Sequence, residues 1–344
     1  MLKTDITEMF GIKYPIFSAP MGPFHTEQIA AAVSEAGGLG VLAHVGLIGE
    51  NPVSVMKENM NYVVEHTDRP FGFNIRTGRI EKYWYDKLVT EIPQYIMENP
   101  KIKEQCIYAV TSAGSSRILP QSKSFQKLKE ISEIKHFHVA PAFWLAEKCV
   151  RYGIDGLCVT GYEGGGHQSY EGVGGFVLLD QVQQTFPDIP KIAAGGIATG
   201  VQLAAALTMG YGGVVIGTRF IASEECGFPQ EYKQLTIDAQ AKDTVILRGQ
   251  LANIRLYNND YAKSHQVIVS KEEKIAYEQS LSQEQAIENA LAYDKLYEGD
   301  IVNTAIPMGQ SAGLIHDIKE VSSIIESVMK EAEKYIKHAA KSII

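Results

Sequence analysis

Long apolar runs are missing from this 344-residue chain. No stretch reaches the roughly 18 residues that a membrane-crossing helix needs. Basic charge is also short: 32 Lys and Arg stand against 40 Asp and Glu, a net charge of −8. That argues against a nucleic-acid or anionic-membrane partner, since both require a basic face. Cysteine is scarce. Cys106, Cys149, Cys158 and Cys226 form no CxxC pair and no metal-ligand spacing, so reduced thiols in a cytoplasmic protein without a metal site are expected. The opening MLKTDITEMFGI has no basic stretch followed by an apolar run and does not read as a signal peptide. Low-complexity segments and short-period repeats are absent. Hydrophobic content of 45% and charged content of 21% lie near globular averages, enough to bury a sizeable core.

What is present is a rhythm. Eight short apolar runs, rich in Val, Ile and Phe, recur through the first two-thirds: PIFSAP (15–20), LGVLAH (39–44), FGFNI (71–75), CIYAVTS (106–112), HFHVAP (136–141), GLCVTG (156–161), IPKIAAGG (189–196) and GGVVIGT (212–218). They are too short for helices and nearly continuous in apolar character, which suits strands buried on both faces. Helical patterns separate them. In TEQIAAAVSEAGG, Ile29, Ala32, Val33 and Ala36 share one face, and Gly37 and Gly38 stop the helix. Strand and helix alternating eight times predict parallel pairing closed into a (β/α)8 barrel. An open doubly wound sheet would want GxGxxG after its first strand, and Ala19-Pro20-Met21-Gly22-Pro23 does not supply it.

After Thr218 the rhythm breaks. The expected organisation is a barrel over 1–219, a small, mostly helical region over 220–305 that covers the barrel mouth, and a return loop with a closing helix over 306–344. In that last helix Val321, Ile324, Ile325, Val328, Ala332, Tyr335 and Ile336 fall at helical spacing, as core packing requires.

Barrel sites lie at the C-terminal ends of strands, with phosphate held after the seventh and eighth. The seventh run ends in Gly195-Gly196 with a helix starting near Thr199, and the eighth ends in Gly217-Thr218. Glycine lets backbone N–H groups approach phosphate oxygens, the helix start adds its dipole, and Thr218 adds a hydroxyl. The alternative is that these glycines only make tight turns. The sixth run ends at Thr160 and opens into Tyr162-Glu163-Gly164-Gly165-Gly166-His167. A histidine there lies at the chemical face, where it can take a proton or steady an anion. It is the candidate catalytic residue, with His44, at the end of the second run, as runner-up.

These pieces resemble the nitronate monooxygenases, formerly called 2-nitropropane dioxygenases, and their relatives the FMN-dependent enoyl-acyl-carrier-protein reductases. The similarity runs through ITEMFGIKYPIFSAPMG, SEAGGLGVL, FGFNI, GYEGGGH, IPKIAAGGIATG, GGVVIGTRFIASEE and IPMGQSAGLI in order. It implies FMN as cofactor, with its phosphate on Gly195, Gly196, Gly217 and Thr218. It also implies Ala19, Pro20 and Met21 beneath the flavin ring, Asn74 near its pyrimidine edge, Thr160 and Gly166 touching the cofactor, and Gln310 and Ser311 near the isoalloxazine. His167 would face the substrate. A single phosphate cradle without a dinucleotide fingerprint favours FMN over FAD.

Two positions depart from the family pattern, Gly164 in place of Ala and Ser169 in place of Gly. The stretch 78–104 is long and carries Tyr83, Trp84 and Tyr85. Both departures bear on the substrate side. The expected activity is oxidation of alkyl nitronates with O2. The alternatives are NAD(P)H-dependent reduction of an enoyl thioester and a flavin-free barrel isomerase or lyase that binds a sugar phosphate. The expected partners are a small-molecule substrate with O2 or NAD(P)H, and a second copy of the chain if it associates.

Overall fold

The computed structural model describes residues 2–248, 253–263, 270–280 and 282–342. Its strands in chain order are β1 (Ile16–Ser18), β2 (Gly40–Leu42), β3 (Phe71–Arg76), β4 (Cys106–Ser112), β5 (Lys135–Ala140), β6 (Gly156–Thr160), β7 (Gly166–Gln168), β8 (Lys191–Ala194), β9 (Gly213–Ile216), β10 (Thr244–Arg248) and β11 (Asn253–Tyr257). Eight of these, all but β7, β10 and β11, form one parallel sheet in the order β1-β9-β8-β6-β5-β4-β3-β2. The two ends meet where Phe17 bridges Leu39, with Leu39 N–H donating to the Ile16 carbonyl at 2.9 Å and Ser18 N–H to the Leu39 carbonyl at 3.1 Å. The sheet is therefore a closed (β/α)8 barrel, and every residue of β1, β2, β3, β8 and β9 is buried.

Bulky inward side chains fill the barrel, as its geometry demands. The bottom is closed by a short helix, Asp5–Phe10, whose Phe10 ring enters between Phe17, Tyr108 and Phe137 at centroid distances of 5.5–5.7 Å. Thr4 caps that helix by accepting from Thr7 N–H, and its own hydroxyl donates to the Gly212 carbonyl at 2.6 Å. The outer ring uses helices such as Glu27–Glu35, where Ile29 and Val33 are buried and Gly37 follows at φ +93°. The last helix, Val321–Ala340, lies against the helix Gly200–Thr208, burying Val321, Ile324, Ile325, Val328 and Ala332. Tyr335, of the same predicted stripe, stays 39% exposed because the neighbouring helix has ended.

The segment between β9 and this last helix holds helices at Gln230–Asp238, Asp260–Lys263, Lys271–Ser280 and Gln283–Tyr297. The stretches 249–252 and 264–269 and residue 281, which fall inside the region expected to be helical, lie outside the described residues. The structure adds a feature to that region that its polar composition does not announce. TVILR (β10) and NIRLY (β11) pair antiparallel, and β11 takes β7 on its other edge. This three-stranded sheet ties the segment to the loop after β6.

Candidate functional site

A cavity opens at the C-terminal ends of the barrel strands. Two adjacent turns line one end of it. After β8, Gly195 and Gly196 adopt left-handed φ of +87° and +74°, which other residues rarely tolerate. A Cβ on Gly195 would sit 2.5 Å from the Gly161 carbonyl oxygen, so this turn packs backbone against backbone. After β9, Gly217 at φ −114° leads into Thr218. Here a Cβ would point at Ala19 and Met21, which line the cavity, with Ala19 Cβ 3.1 Å away.

Among the described residues, the amides of Gly196, Ile197, Thr218 and Arg219 have no protein acceptor. Thr218 Oγ1 accepts from Gly309 N–H at 3.1 Å, which leaves its hydroxyl proton to donate. Backbone amides without a protein acceptor, next to a hydroxyl free to donate, are the kind of groups that can hold a phosphate. The helix start near Thr199 contributes less than the sequence suggests. Ala198 and Thr199 N–H donate to Gln202 Oε1, and Gly200 N–H donates to Glu331 at 2.7 Å. The neighbouring cation is also engaged elsewhere: Arg219 donates to the Asp317 carboxylate at 2.6 Å and to its carbonyl at 2.7 Å.

His167 sits in the middle of β7, directly opposite Ile254 of β11. A three-residue strand flanked by glycines has little conformational preference of its own; pairing with β11 defines its direction. Two groups hold the loop before it, the first of them buried. Arg255, 5% exposed, donates from Nε (3.1 Å) and Nη2 (2.8 Å) to the Tyr162 carbonyl, and from Nη1 to Thr244 Oγ1 at 3.0 Å. Glu163 accepts from Gly175 N–H at 2.8 and 3.0 Å, and its carbonyl accepts from Gln310 N–H at 2.9 Å. His167 is half-buried and lines the cavity.

The cavity wall brings together Ala19, Pro20, Met21, Thr160, Gly166, His167, Gly195, Gly196, Gly217, Thr218 and Ser311. Asn74 and Gln310 are not on that wall. Asn74 is buried and its Nδ2 donates to the Val110 carbonyl at 3.0 Å and to Ser112 Oγ at 3.1 Å; it meets the cavity only through Ser112. Gln310 lies one residue outside, fastened by its main chain to Glu163. His44 is buried away from the cavity, where Nδ1 accepts from Arg76 N–H at 3.1 Å. Burial and then the Arg76 charge hold its pKa well below the usual imidazole range. Cys158 does reach the wall, but burial pushes its thiol up to about 12, too high for a thiolate nucleophile.

Arg255 and Tyr232 were invisible as site residues in the sequence. Tyr232 comes from the segment after β9, lines the cavity, and donates its hydroxyl to the Pro307 carbonyl. A lone arginine inside the apolar run NIRLY was the available signal for Arg255, since a charge so placed needs a buried partner.

Fold and cavity together define a class: a (β/α)8 barrel with glycine turns after β8 and β9 and a histidine lining the cavity at the strand ends. A family model described as Nitronate monooxygenase matches residues 3–331, and the chain belongs to that family of oxidoreductases. A curated relative, the probable nitronate monooxygenase of Staphylococcus saprophyticus, is 27% identical over 97% of this chain and 98% of its own. Another, the (3aS,4S,5R,7aS)-5-hydroxy-7a-methyl-1-oxo-octahydro-1H-indene-4-carboxyl-CoA dehydrogenase of Rhodococcus jostii, is 27% identical over 97% of both. Among solved structures, FabK from Thermotoga maritima superposes with a TM-score of 0.80 at 30% identity over the whole of both chains. A nitroalkane oxidase from Streptomyces ansochromogenes shares the fold, with a TM-score of 0.74 at 23% identity over 97% of this chain and 99% of that one.

Proposed function

We propose that this chain is an FMN-dependent enzyme that oxidises alkyl nitronates with O2. The observation that carries the reading is the position of His167. The β7–β11 pairing holds it on the wall of the same cavity that Gly196, Ile197 and Thr218, whose amides have no protein acceptor, also line. Amides that could take a phosphate and a histidine on one wall support a reading in which a phosphate-anchored cofactor would lie beside His167. The residues fit FMN: Gly195, Gly196, Gly217 and Thr218 would hold its phosphate, and Ala19, Pro20, Met21, Thr160, Gly166 and Ser311 would bound its ring. FMN, when bound, supplies the electron transfer between the substrate carbon and O2.

The chain's own contribution is placement and proton handling. His167 in its protonated form steadies the anionic oxygens of a nitronate. In its neutral form it takes the α-proton of a nitroalkane, converting it to the nitronate. Arg255 and Glu163 keep the loop that carries it in one position, so little ordering remains to be done when substrate arrives.

A second reading, reduction of an enoyl thioester with NAD(P)H, has specific support. One relative is named for a carboxyl-CoA substrate, and the structure at 30% identity is FabK. One measurement tests the cofactor, which both readings share, and a second separates the readings. Heat release and mass analysis of the pigment should give FMN; FAD, or a colourless protein, would sink the cofactor assignment. Anaerobic mixing should bleach the flavin with preformed nitronate. Bleaching by NAD(P)H, together with turnover of an enoyl thioester and none of nitronate, would establish the second reading instead.

A further inference from the structure

Side chains alternate along β4, so Tyr108, Val110 and Ser112 share one face and Thr111 takes the other. Thr111 bonds His136 and His138 on the outer side of the barrel. Tyr108 and Val110 are buried with Phe17 and Phe137 inside it. Ser112 ends this inner row. It is half-buried and lines the cavity at the glycine turns, as His167 does. Both residues, with Val139, also line a second cavity next to the first. Ser112 and His167 therefore are the hydrogen-bonding side chains at the junction of the two. The serine is closely fixed. Thr77 N–H donates to its carbonyl at 2.8 Å, and Asn74 Nδ2 donates to its Oγ at 3.1 Å. Ala113, directly after it, holds a left-handed φ of +58°, a strain that persists only where neighbours impose it. A Cβ on Gly114 would run into the Thr77 carbonyl, so the loop is packed hard against β3. The Asn74 bond also defines what the hydroxyl can do. Oγ accepts from Nδ2, while its way back to Asn74 Oδ1 is 3.5 Å, the outer limit of a hydrogen bond. The hydroxyl proton is available to an acceptor in the cavity.

We propose that Ser112 is a second catalytic residue: its hydroxyl donates to a substrate oxygen that gains negative charge while His167 works on the neighbouring carbon. A neutral imidazole that takes the α-proton of a nitroalkane is turned to the carbon, so it leaves the nitro oxygens to another donor. In that step the C–H bond breaks, its proton goes to the imidazole nitrogen, and its electron pair forms C=N as negative charge moves onto the oxygens. A hydrogen bond to a charged oxygen is roughly twice as strong as one to a neutral oxygen, so Ser112 favours the anion over its neutral parent. A donor held in place by Asn74 and Thr77 needs no reordering as the charge develops. That these oxygens belong to a nitronate rests on the function proposed above; donation by Ser112 to an anionic oxygen does not.

The test reads binding first and turnover second. Propanoate presents a planar, two-oxygen anion that does not react, and propanamide is its neutral counterpart of equal size. Both are titrated calorimetrically into the purified holoenzyme. Ser112→Ala should weaken propanoate about 10- to 100-fold and propanamide no more than about threefold. Ser112→Thr, which keeps the hydroxyl, should bind propanoate within about threefold of the parent. A serine that merely satisfied Asn74 would lower both ligands alike on removal. In turnover, Ser112→Ala should lower kcat for a neutral nitroalkane about 10- to 100-fold, because the bond strengthens as the proton leaves. Unchanged propanoate affinity in Ser112→Ala, equal losses for the two ligands, or a Ser112→Thr variant as weak as Ser112→Ala would overturn the inference. Propanoate selectivity that depends on Ser112, in a protein that oxidises no nitronate, would overturn the activity and leave the residue's role standing. Normal nitronate oxidation with a propanoate affinity indifferent to Ser112 would do the reverse.

Discussion

Acid should destabilise this protein through three buried histidines, and the size of the effect follows from their surroundings. His136 and His138 project from β5 toward the outer helices, and Thr111 Oγ1 lies 2.8 Å from His136 Nε2 and 2.7 Å from His138 Nδ1. Both are fully enclosed, and burial holds each at about 3, against an ordinary value of 6.5. The charges that bear on them, Lys129 on His136 and Lys148 on His138, oppose protonation further. His44 is held low in the same direction by burial and Arg76. The unfolded chain protonates all three as pH falls through 6.5, whereas the folded chain does not protonate His136 and His138 until near 3. Stability is therefore fully present above 6.5 and is lost progressively between 6.5 and 3. At pH 5 His136 and His138 cost about 2 kcal/mol each, so the two together cost about 4 kcal/mol, and His44 adds to the loss in the same direction. Domains commonly hold only about 5–15 kcal/mol, so a loss of this size brings the fold close to its limit. Urea unfolding at pH 7.5 and pH 5 measures it. In the double variant His136→Gln, His138→Gln, the difference between the two pH values should shrink by about 4 kcal/mol, whatever the variant's absolute stability. A wild-type midpoint that does not move between pH 7.5 and 5, or a double variant with the wild-type pH difference, would refute the burial argument.

Four further outcomes concern the site. His167→Ala should keep FMN bound while turnover of a neutral nitroalkane falls about 10²–10⁴-fold; with preformed nitronate the loss should be smaller, and equal small losses on both substrates would make the residue a bystander. Gly217→Val, at an ordinary φ, should push a side chain toward Ala19 and Met21 and lower FMN affinity without unfolding the barrel. Gly196→Val should instead lose stability as well, by about 1–2 kcal/mol for the left-handed φ plus the contact 2.9 Å from Glu163 Cβ; full flavin retention in both would remove the phosphate from these turns. Arg255→Lys cannot keep both donors on the Tyr162 carbonyl and the third on Thr244. It should lower kcat more than it raises KM for the nitroalkane, with FMN content unchanged, and unaltered kinetics would show that the loop holds itself.

The barrel could be read from the chain because its strands carry their own signal. CIYAVTS coincides with β4, and FGFNI falls one residue short of β3. A strand covered on both faces must be apolar throughout, and that pattern is local. The glycine turns after β8 and β9 were legible for the same reason, since left-handed backbone at Gly195 and Gly196 calls for glycine in the sequence itself. The three-stranded sheet was not. GHQ is three residues long and NIRLY lies over 80 positions later; neither predicts the other, and only their pairing turns His167 toward the cavity.

By itself, then, the sequence determined the eight-fold alternation, the closing helix, the glycines at two strand ends and the presence of a histidine near a third, because each follows from periodicity or from a backbone angle that one residue type favours. The tertiary structure decided the rest. It turned Asn74 inward to Val110 and Ser112, took the helix start near Thr199 away from ligands by giving its amides to Gln202 and Glu331, and brought from the segment after β9 both Arg255 to the loop before His167 and Tyr232 to the cavity wall. Those outcomes depend on which hydrogen-bond partner arrives from a distant part of the chain, and a buried polar group takes whichever partner the closed fold brings within reach.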